Sequence, residues 1–331
     1  VSVTAPIKVS GSDFEAQPEQ VLKGVGKAIQ GRSLWQIAWL RLKRDRVAVG
    51  GGVTIVVLVL AAIVGPWFLP DPDVYNQELI DTTMLRPKEG WLHSGISWDH
   101  LLGVEPTTGR DMFARILVGA RVSLLVAVAA TALSMTIGVI LGGLAGYFGG
   151  FVDTVVSRFM DALLAFPLLL FAIALVGILP TDVYGLSGNP LKITVLVFII
   201  GFFNCPYIGR IVRGQTLSLR EREFVDAARS MGASHFHIYF REVLPNLVAP
   251  IIVYSTLLIP TNILFEASLS FLGVGVNPPM PSWGGMLSQA VQTYQNTPLF
   301  MVIPGLAIFV TVLAFNLLGD GLRDALDPRS R

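Results

Sequence analysis

Six stretches of about twenty residues carry no Asp, Glu, Lys or Arg, and they limit what this chain can become: residues 47–69, 122–148, 162–180, 193–209, 247–265 and 299–318. Each is long enough to cross the hydrocarbon core of a bilayer as an α-helix. Backbone groups in lipid must be satisfied inside the segment, which selects helices, and the short alternating segments of a membrane barrel do not occur in the sequence. A chain that is 53% hydrophobic and 14% charged, with a mean hydropathy of +0.63, has too little charge to coat a soluble globule around so much apolar material. The expected fold is an all-α membrane protein with six transmembrane helices.

An even number of spans puts both termini on one side, and the Lys and Arg positions choose that side. Of the 24, all but Arg86, Lys88, Arg110, Arg115, Arg121 and Lys192 fall in the two tails and in the second and fourth connections. Positive residues mark the cytoplasm. Both termini and the 210–246 connection are therefore expected inside, and segments 70–121, 181–191 and 273–298 outside. The domain plan is a cytoplasmic N-terminal tail (1–46), a transmembrane domain (47–320) whose fifth span is carried on to residue 272, and a cytoplasmic C-terminal tail (321–331). Residues 1–46 lack the basic stretch, short apolar core and small-residue cleavage site of a secretory signal, so they are expected to be a retained tail. Within them Trp35, Ala38, Trp39 and Leu42 recur at helical spacing beside Arg41, Lys43, Arg44 and Arg46. That pattern fits an interfacial elbow helix, or a first span that starts early.

The 210–246 connection has helix chemistry of its own. Phe224, Ala227, Ala228 and Met231 share one face at helical spacing, with Arg222, Glu223, Asp226 and Arg229 over the rest. Gly232 can end that helix in a left-handed conformation, Ser234 can cap the next, and Pro245 stands at the entrance to the fifth span. A face of two Ala between Phe and Met lets another backbone approach closely around an aromatic anchor. The same stripe could instead pack on the chain's own helix ends.

The segment resembles the cytoplasmic loop of bacterial ABC importer permeases, whose signature is Glu-Ala-Ala, three residues, Gly, then about nine residues and Ile-x-Leu-Pro. Asp226-Ala227-Ala228, Gly232 and Leu244-Pro245 occupy those places, with Asp for Glu at 226 and Glu242 at the Ile position. Further stretches, GRDMFARILVGARVSLLVAV, DALLAFPLLLFAIALV, EASLSFLGVGVNPPMPSWGGML and AFNLLGDGLRDALDPR, are similar to the C-type subunit of the dipeptide, oligopeptide and nickel permeases. In LGVEPTTGRD, Val104-Glu105 and one extra residue before Gly109 depart from that family's pattern. The resemblance implies a type I ABC importer permease fold in a bacterial or archaeal inner membrane. It implies a coupling helix in which Glu223, Phe224, Asp226, Ala227, Ala228, Met231 and Gly232, with Leu244 and Pro245 beyond, meet the ATPase. The implied partners are a homologous B-type permease, two cytoplasmic ATPase subunits that bind ATP and Mg²⁺, and an extracytoplasmic peptide-binding protein. Di- or oligopeptides are the implied cargo, with nickel chelates or haem-like cargo as the alternative on the same fold.

Catalytic patterns are missing. There is no HExxH, the four His lie in loops without acidic partners at ligand spacing, and Gly26-Lys27 lacks the upstream Gly of a phosphate loop. The chain is expected to be no enzyme by itself, to hold no cofactor or metal, and to have lipid but no nucleic acid as a partner. Its single Cys205 permits no intrachain disulfide. Gly138, Gly142 and Gly146 repeat every four residues and mark a close helix contact. Glu266 is the one carboxylate deep in an uncharged stretch, one turn after Asn262. Its insertion cost of about 2.5–3.5 kcal/mol requires it to face the bundle, and Asn262 and Glu266 are candidates for the translocation pathway or for structural hydrogen bonding.

Overall fold

The computed structural model describes residues 34–81, 83–180, 182–183 and 185–327. The tail before residue 34 and the side chain of Trp35 lie outside the described residues. Ten helices carry the fold in the described residues. They are α1 (Leu34–Arg44), α2 (Arg46–Val64), α3 (Met112–Phe148), α4 (Gly150–Ala165), α5 (Leu168–Ile178), α6 (Gly188–Arg220), α7 (Glu223–Ser230), α8 (His235–Phe271), α9 (Trp283–Ala290) and α10 (Pro298–Leu326). Two short hairpins, Ile80–Asp81 with Arg86–Pro87 and Asp182–Val183 with Leu186–Ser187, sit in connections.

Five helices, α2, α3, α6, α8 and α10, are long and apolar enough to cross a membrane one by one. The sixth expected span, 162–180, is not one straight helix. It belongs to the pair α4 and α5, which bend by 79° at Phe166-Pro167. Phe166 is extended, with ψ 128, because the ring of the following proline disfavours the α region for the residue before it.

The other spans run past the limits that charge suggested. α3 starts at Met112 rather than 122, with Asp111 as its N-cap accepting from the Ala114 N–H at 2.7 Å. α6 runs to Arg220 and α10 to Leu326, so much of the expected loop 210–246 and the start of the expected C-terminal tail are helical. Paired charges make these extensions possible. Arg213 bonds the Asp153 carboxylate, Arg210 reaches Asp161 at 2.6 Å, and Arg121 donates to the Ala62 and Ile63 carbonyls at the end of α2.

α3 and α6 form the central pair. A Cβ at Gly138 would meet the Cys205 carbonyl and Ile208, at Gly142 the backbone of Gly209 and Arg213, and at Gly146 the Arg213 carbonyl and Thr216. The glycine seam therefore faces α6, and backbone contact is what its small residues allow. α8 and α10 pack beside this pair, α2 lies on α10, and α1 lies across the end of α10, where Arg41 donates to the Asp327 carbonyl at 2.9 Å. Ala38 on α1 is buried and Trp39 exposed. α1, α7 and the end of α10 share one end of the bundle; the 65–111 segment and α9 occupy the other.

Candidate functional site

α7 is a short helix at the bundle end, and its local chemistry explains both its limits and its seat. Glu223 and Asp226 lie in the first turn and Arg229 in the last, each favourable to the helix dipole. Gly232, at φ +80, lets its own N–H reach the Arg229 carbonyl (2.9 Å) while the Ala233 N–H reaches that of Ala228 (3.0 Å). These two bonds form a Schellman stop. The Ser234 hydroxyl then accepts from the His237 N–H at 3.3 Å, and α8 begins with a π-helical turn, Ile238–Val243, before Leu244 and Pro245.

Two faces of α7 do different things. Val225 and Ala228 point inward and pack with Ile238, Val243, Leu247 and Val212, which ties α7 to α6 and α8. Phe224, Ala227 and Met231 point outward, Met231 being 80% exposed. Glu223, Asp226 and Gly232 are exposed beside them, Leu244 is half-buried and Pro245 exposed. The four-residue stripe expected from spacing is thus split: Ala228, 5% exposed, belongs to the seat and not to the free face. The free face offers a contact surface of Phe, Ala and Met framed by charge, with no reactive group arranged for chemistry.

The family model for the binding-protein-dependent transport system inner membrane component matches residues 138–331, and that for the N-terminal TM domain of oligopeptide transport permease C matches residues 33–87. The chain belongs to the family of binding-protein-dependent transport system inner membrane components. Among its relatives is the glutathione transport system permease protein GsiD of Pectobacterium atrosepticum, 42% identical over 90% of this chain and 92% of that protein. The oligopeptide transport system permease protein OppC of Haemophilus influenzae is 36% identical over 99% of this chain and 98% of that protein. A chain of the MetNI methionine ABC transporter, solved in inward-facing conformations, shares the fold at TM-score 0.51 and 19% identity, over 65% of this chain and 98% of its own. This protein is accordingly a multi-pass permease of an ABC importer, a non-catalytic membrane component, and its family implies a partner permease, an ATPase and a binding protein.

Inside the permease, the two candidates for the pathway are both fully buried. The Asn262 Oδ1 accepts from Asn204 Nδ2 at 2.8 Å and its Nδ2 donates to Thr131 Oγ1 at 2.8 Å, joining α8 to α6 and α3. Glu266 accepts from the Ser270 hydroxyl at 2.7 Å. Both residues are 0% exposed and line no open surface of this chain; Asn262 bonds across helices, whereas the bond of Glu266 stays within α8 and leaves its Oε2 without a hydrogen-bond partner in the chain. Asn204 and Thr131 went unnoticed in the sequence, although a polar residue in an apolar span is the signal that would have found them.

A second polar cluster closes the far end. The Glu105 carboxylate accepts from Arg110 Nε at 2.7 Å and forms an ion pair with the Arg115 guanidinium at 2.6 Å, and Arg115 Nη1 donates to Asp73 (3.1 Å) and to the Pro279 carbonyl (3.1 Å). Glu105 and both arginines are buried. The departure from the family pattern at Val104-Glu105 therefore lies at the keystone that joins the 70–111 segment, α3 and the loop before α9.

Proposed function

We propose that this permease forms half of a translocation pathway for di- or oligopeptides with a homologous B-type permease, and that α7 couples it to cytoplasmic ATPase subunits. The observation that carries this reading is the outward face of α7: Phe224, Ala227 and Met231 stand free while Val225 and Ala228 root the same helix in α6 and α8. A push on that face is transmitted to two long helices at once. Two ATPase subunits would hold ATP and Mg²⁺, and their closure would bias the bundle between inward and outward openings by binding the two states unequally. Glu223, Asp226 and Arg229 would set the register of the contact, and Gly232 with Leu244 and Pro245 would fix the exit from it.

The orientation consistent with this has α1, α7 and the end of α10 in the cytoplasm, where the Lys and Arg excess lies. An extracytoplasmic binding protein would then deliver cargo to the end with α9. The names of the relatives, a glutathione permease and an oligopeptide permease, support peptide as cargo.

The test is uptake by the whole transporter in vesicles, measured together with ATP turnover. Met231→Glu or Phe224→Asp is expected to leave the permease in the membrane with its partner and to remove binding-protein-stimulated turnover and peptide uptake together. Normal uptake by both variants would remove the coupling role of α7.

A further inference from the structure

At the bundle end that holds α9, an open cleft of about 460 Å³ lies between the 70–111 segment, the loop before α9 and the start of α10. Its volume is that of a small-ligand site. Tyr75, Arg110, Gln289, Gln292 and Thr293 stand in its wall, and no Asp, Glu or Lys lines it among the described residues. Arg110 is therefore the one charged side chain that the cleft meets, and it is buried, with 4% of its surface exposed.

The Arg110 guanidinium is only partly satisfied by this chain. Its Nε donates to Glu105 Oε2 at 2.7 Å and to Thr108 Oγ1 at 3.1 Å, and its Cζ lies 5.3 Å from the centre of the Tyr75 ring. The two terminal nitrogens, which carry all but one of the guanidinium N–H donors, make no hydrogen bond among the described residues. Arg115 differs, because its Nη1 is taken up by Asp73 and by the Pro72 and Pro279 carbonyls. The charges leave the same remainder. Glu105 is one carboxylate between two buried guanidinium groups, and Asp73 answers the Arg115 side of the cluster. The Arg110 side meets the cleft with its charge incompletely matched, and a buried charge calls for a partner. Gln289, half-buried, and Gln292, exposed, bring side-chain amides to the same wall, and the Thr293 hydroxyl is buried there without a partner.

We propose that this cleft is a carboxylate-binding subsite for peptide cargo, in which the Arg110 terminal nitrogens take the C-terminal carboxylate and Gln289 and Gln292 hold amide groups of the peptide backbone. A planar guanidinium can grip a carboxylate through two parallel N–H bonds. The Nε bonds to Glu105 and Thr108 hold that fork in place, so little side-chain freedom is lost when the ligand arrives. The subsite rests on the reading of this chain as a peptide permease only for the source of the carboxylate. That a carboxylate binds rests on the cleft and on Arg110.

The test uses the assembled transporter in lipid nanodiscs with Thr107→Cys, an exposed position that lines the cleft, and a maleimide as the probe of access. Cys205, which is fully buried, stays as the internal control. Trialanine is expected to slow labelling at position 107, and trialanine amide to need about tenfold more peptide for the same effect, the factor that goes with one charge-assisted hydrogen bond. Arg110→Gln is expected to bring acid and amide to the same concentration. Gln292→Leu is expected to weaken protection by both peptides a few-fold and to keep the acid preference. Where Arg110→Gln does not assemble, the difference between acid and amide on the transporter with Arg110 in place decides alone. Equal protection by acid and amide, or protection by neither, overturns the subsite, as does an acid preference that survives Arg110→Gln. Protection by the unloaded binding protein, with none by trialanine, would give the guanidinium to an acidic side chain of that partner and overturns it too. Peptide uptake by the same transporter with its binding protein, scored in parallel, reports on the proposed function. Normal uptake with equal protection removes the subsite alone, whereas acid-selective protection without uptake keeps the subsite and removes peptide as the transported cargo.

Discussion

Gly142→Ala, compared with Gly214→Ala, separates a glycine that backbone contact requires from one that it does not. Both glycines lie in long helices, α3 and α6. A Cβ at 142 would run into the backbone of Gly209 and Arg213, which cannot move aside as a side-chain tip can, whereas a Cβ at 214 would meet nothing within 4 Å. Overpacking of this kind costs about 1–3 kcal/mol, and replacing a helical glycine by alanine returns about 0.5–1 kcal/mol. Gly214→Ala is therefore expected to be neutral or slightly stabilising, and Gly142→Ala to fall about 2 kcal/mol below it. At about 2–4 °C per kcal/mol for a protein of 150–250 residues, the gap should be several degrees. The assay is the apparent unfolding temperature of the purified transporter in lipid nanodiscs, read at one protein concentration for both variants. Equal temperatures, or a higher one for Gly142→Ala, would refute the backbone-contact account of the α3–α6 seam.

Other consequences are open to the same measurement or to hydrogen exchange. Glu105→Ala leaves the buried Arg110 and Arg115 guanidinium groups without their shared carboxylate and should cost about 3–5 kcal/mol, as breaking a buried ion pair from one side does; hydrogen exchange should show the loss in the 70–111 segment and the loop before α9, with α7 unaffected. Asn262→Leu removes both bonds of its amide and should cost about 1–2 kcal/mol, given interhelical bonds averaging about 0.6 kcal/mol. Adding Asn204→Leu should recover part of that loss, since it removes the orphaned donor. Ala228→Arg should fail by unseating α7, with accelerated exchange in residues 221–234, whereas Met231→Arg should leave exchange there unchanged.

Five of the six apolar stretches fall on helices long and apolar enough to cross a membrane, because the apolar requirement of lipid is written residue by residue. Hydropathy could not locate the ends. Arg115, Arg121, Arg210 and Arg213 look like boundaries in a sequence, yet each sits in a helix that continues past it, paired with a carboxylate or a helix-end carbonyl contributed by a distant segment. The bend at Phe166-Pro167 was signalled by the proline itself and was masked by uninterrupted hydropathy on both sides. The glycine repeat announced a close contact, but its partner α6 lies more than sixty residues on and is fixed only by tertiary packing. Around α7, spacing found the helix, its Gly232 stop and its Ser234 cap. It did not divide the stripe, because Val225, the residue that decides which side is inward, lies off the Phe224–Ala227–Ala228–Met231 face. Glu266 stood out as a lone carboxylate in an uncharged stretch, and that it takes the Ser270 hydroxyl one turn further along the same helix is set by side-chain orientation, which spacing does not give.

The central claim is that the free face of α7 carries the contact with the ATPase. A photo-cross-linking residue placed at Met231 in the assembled, ATP-hydrolysing transporter tests this directly, with the same residue at Val225 as the inward-facing control. The account predicts a cross-link from 231 to the ATPase subunit and a cross-link from 225 only within the permease. An assembled and active transporter in which position 231 yields no ATPase cross-link, or is joined instead to the extracytoplasmic binding protein, would contradict it.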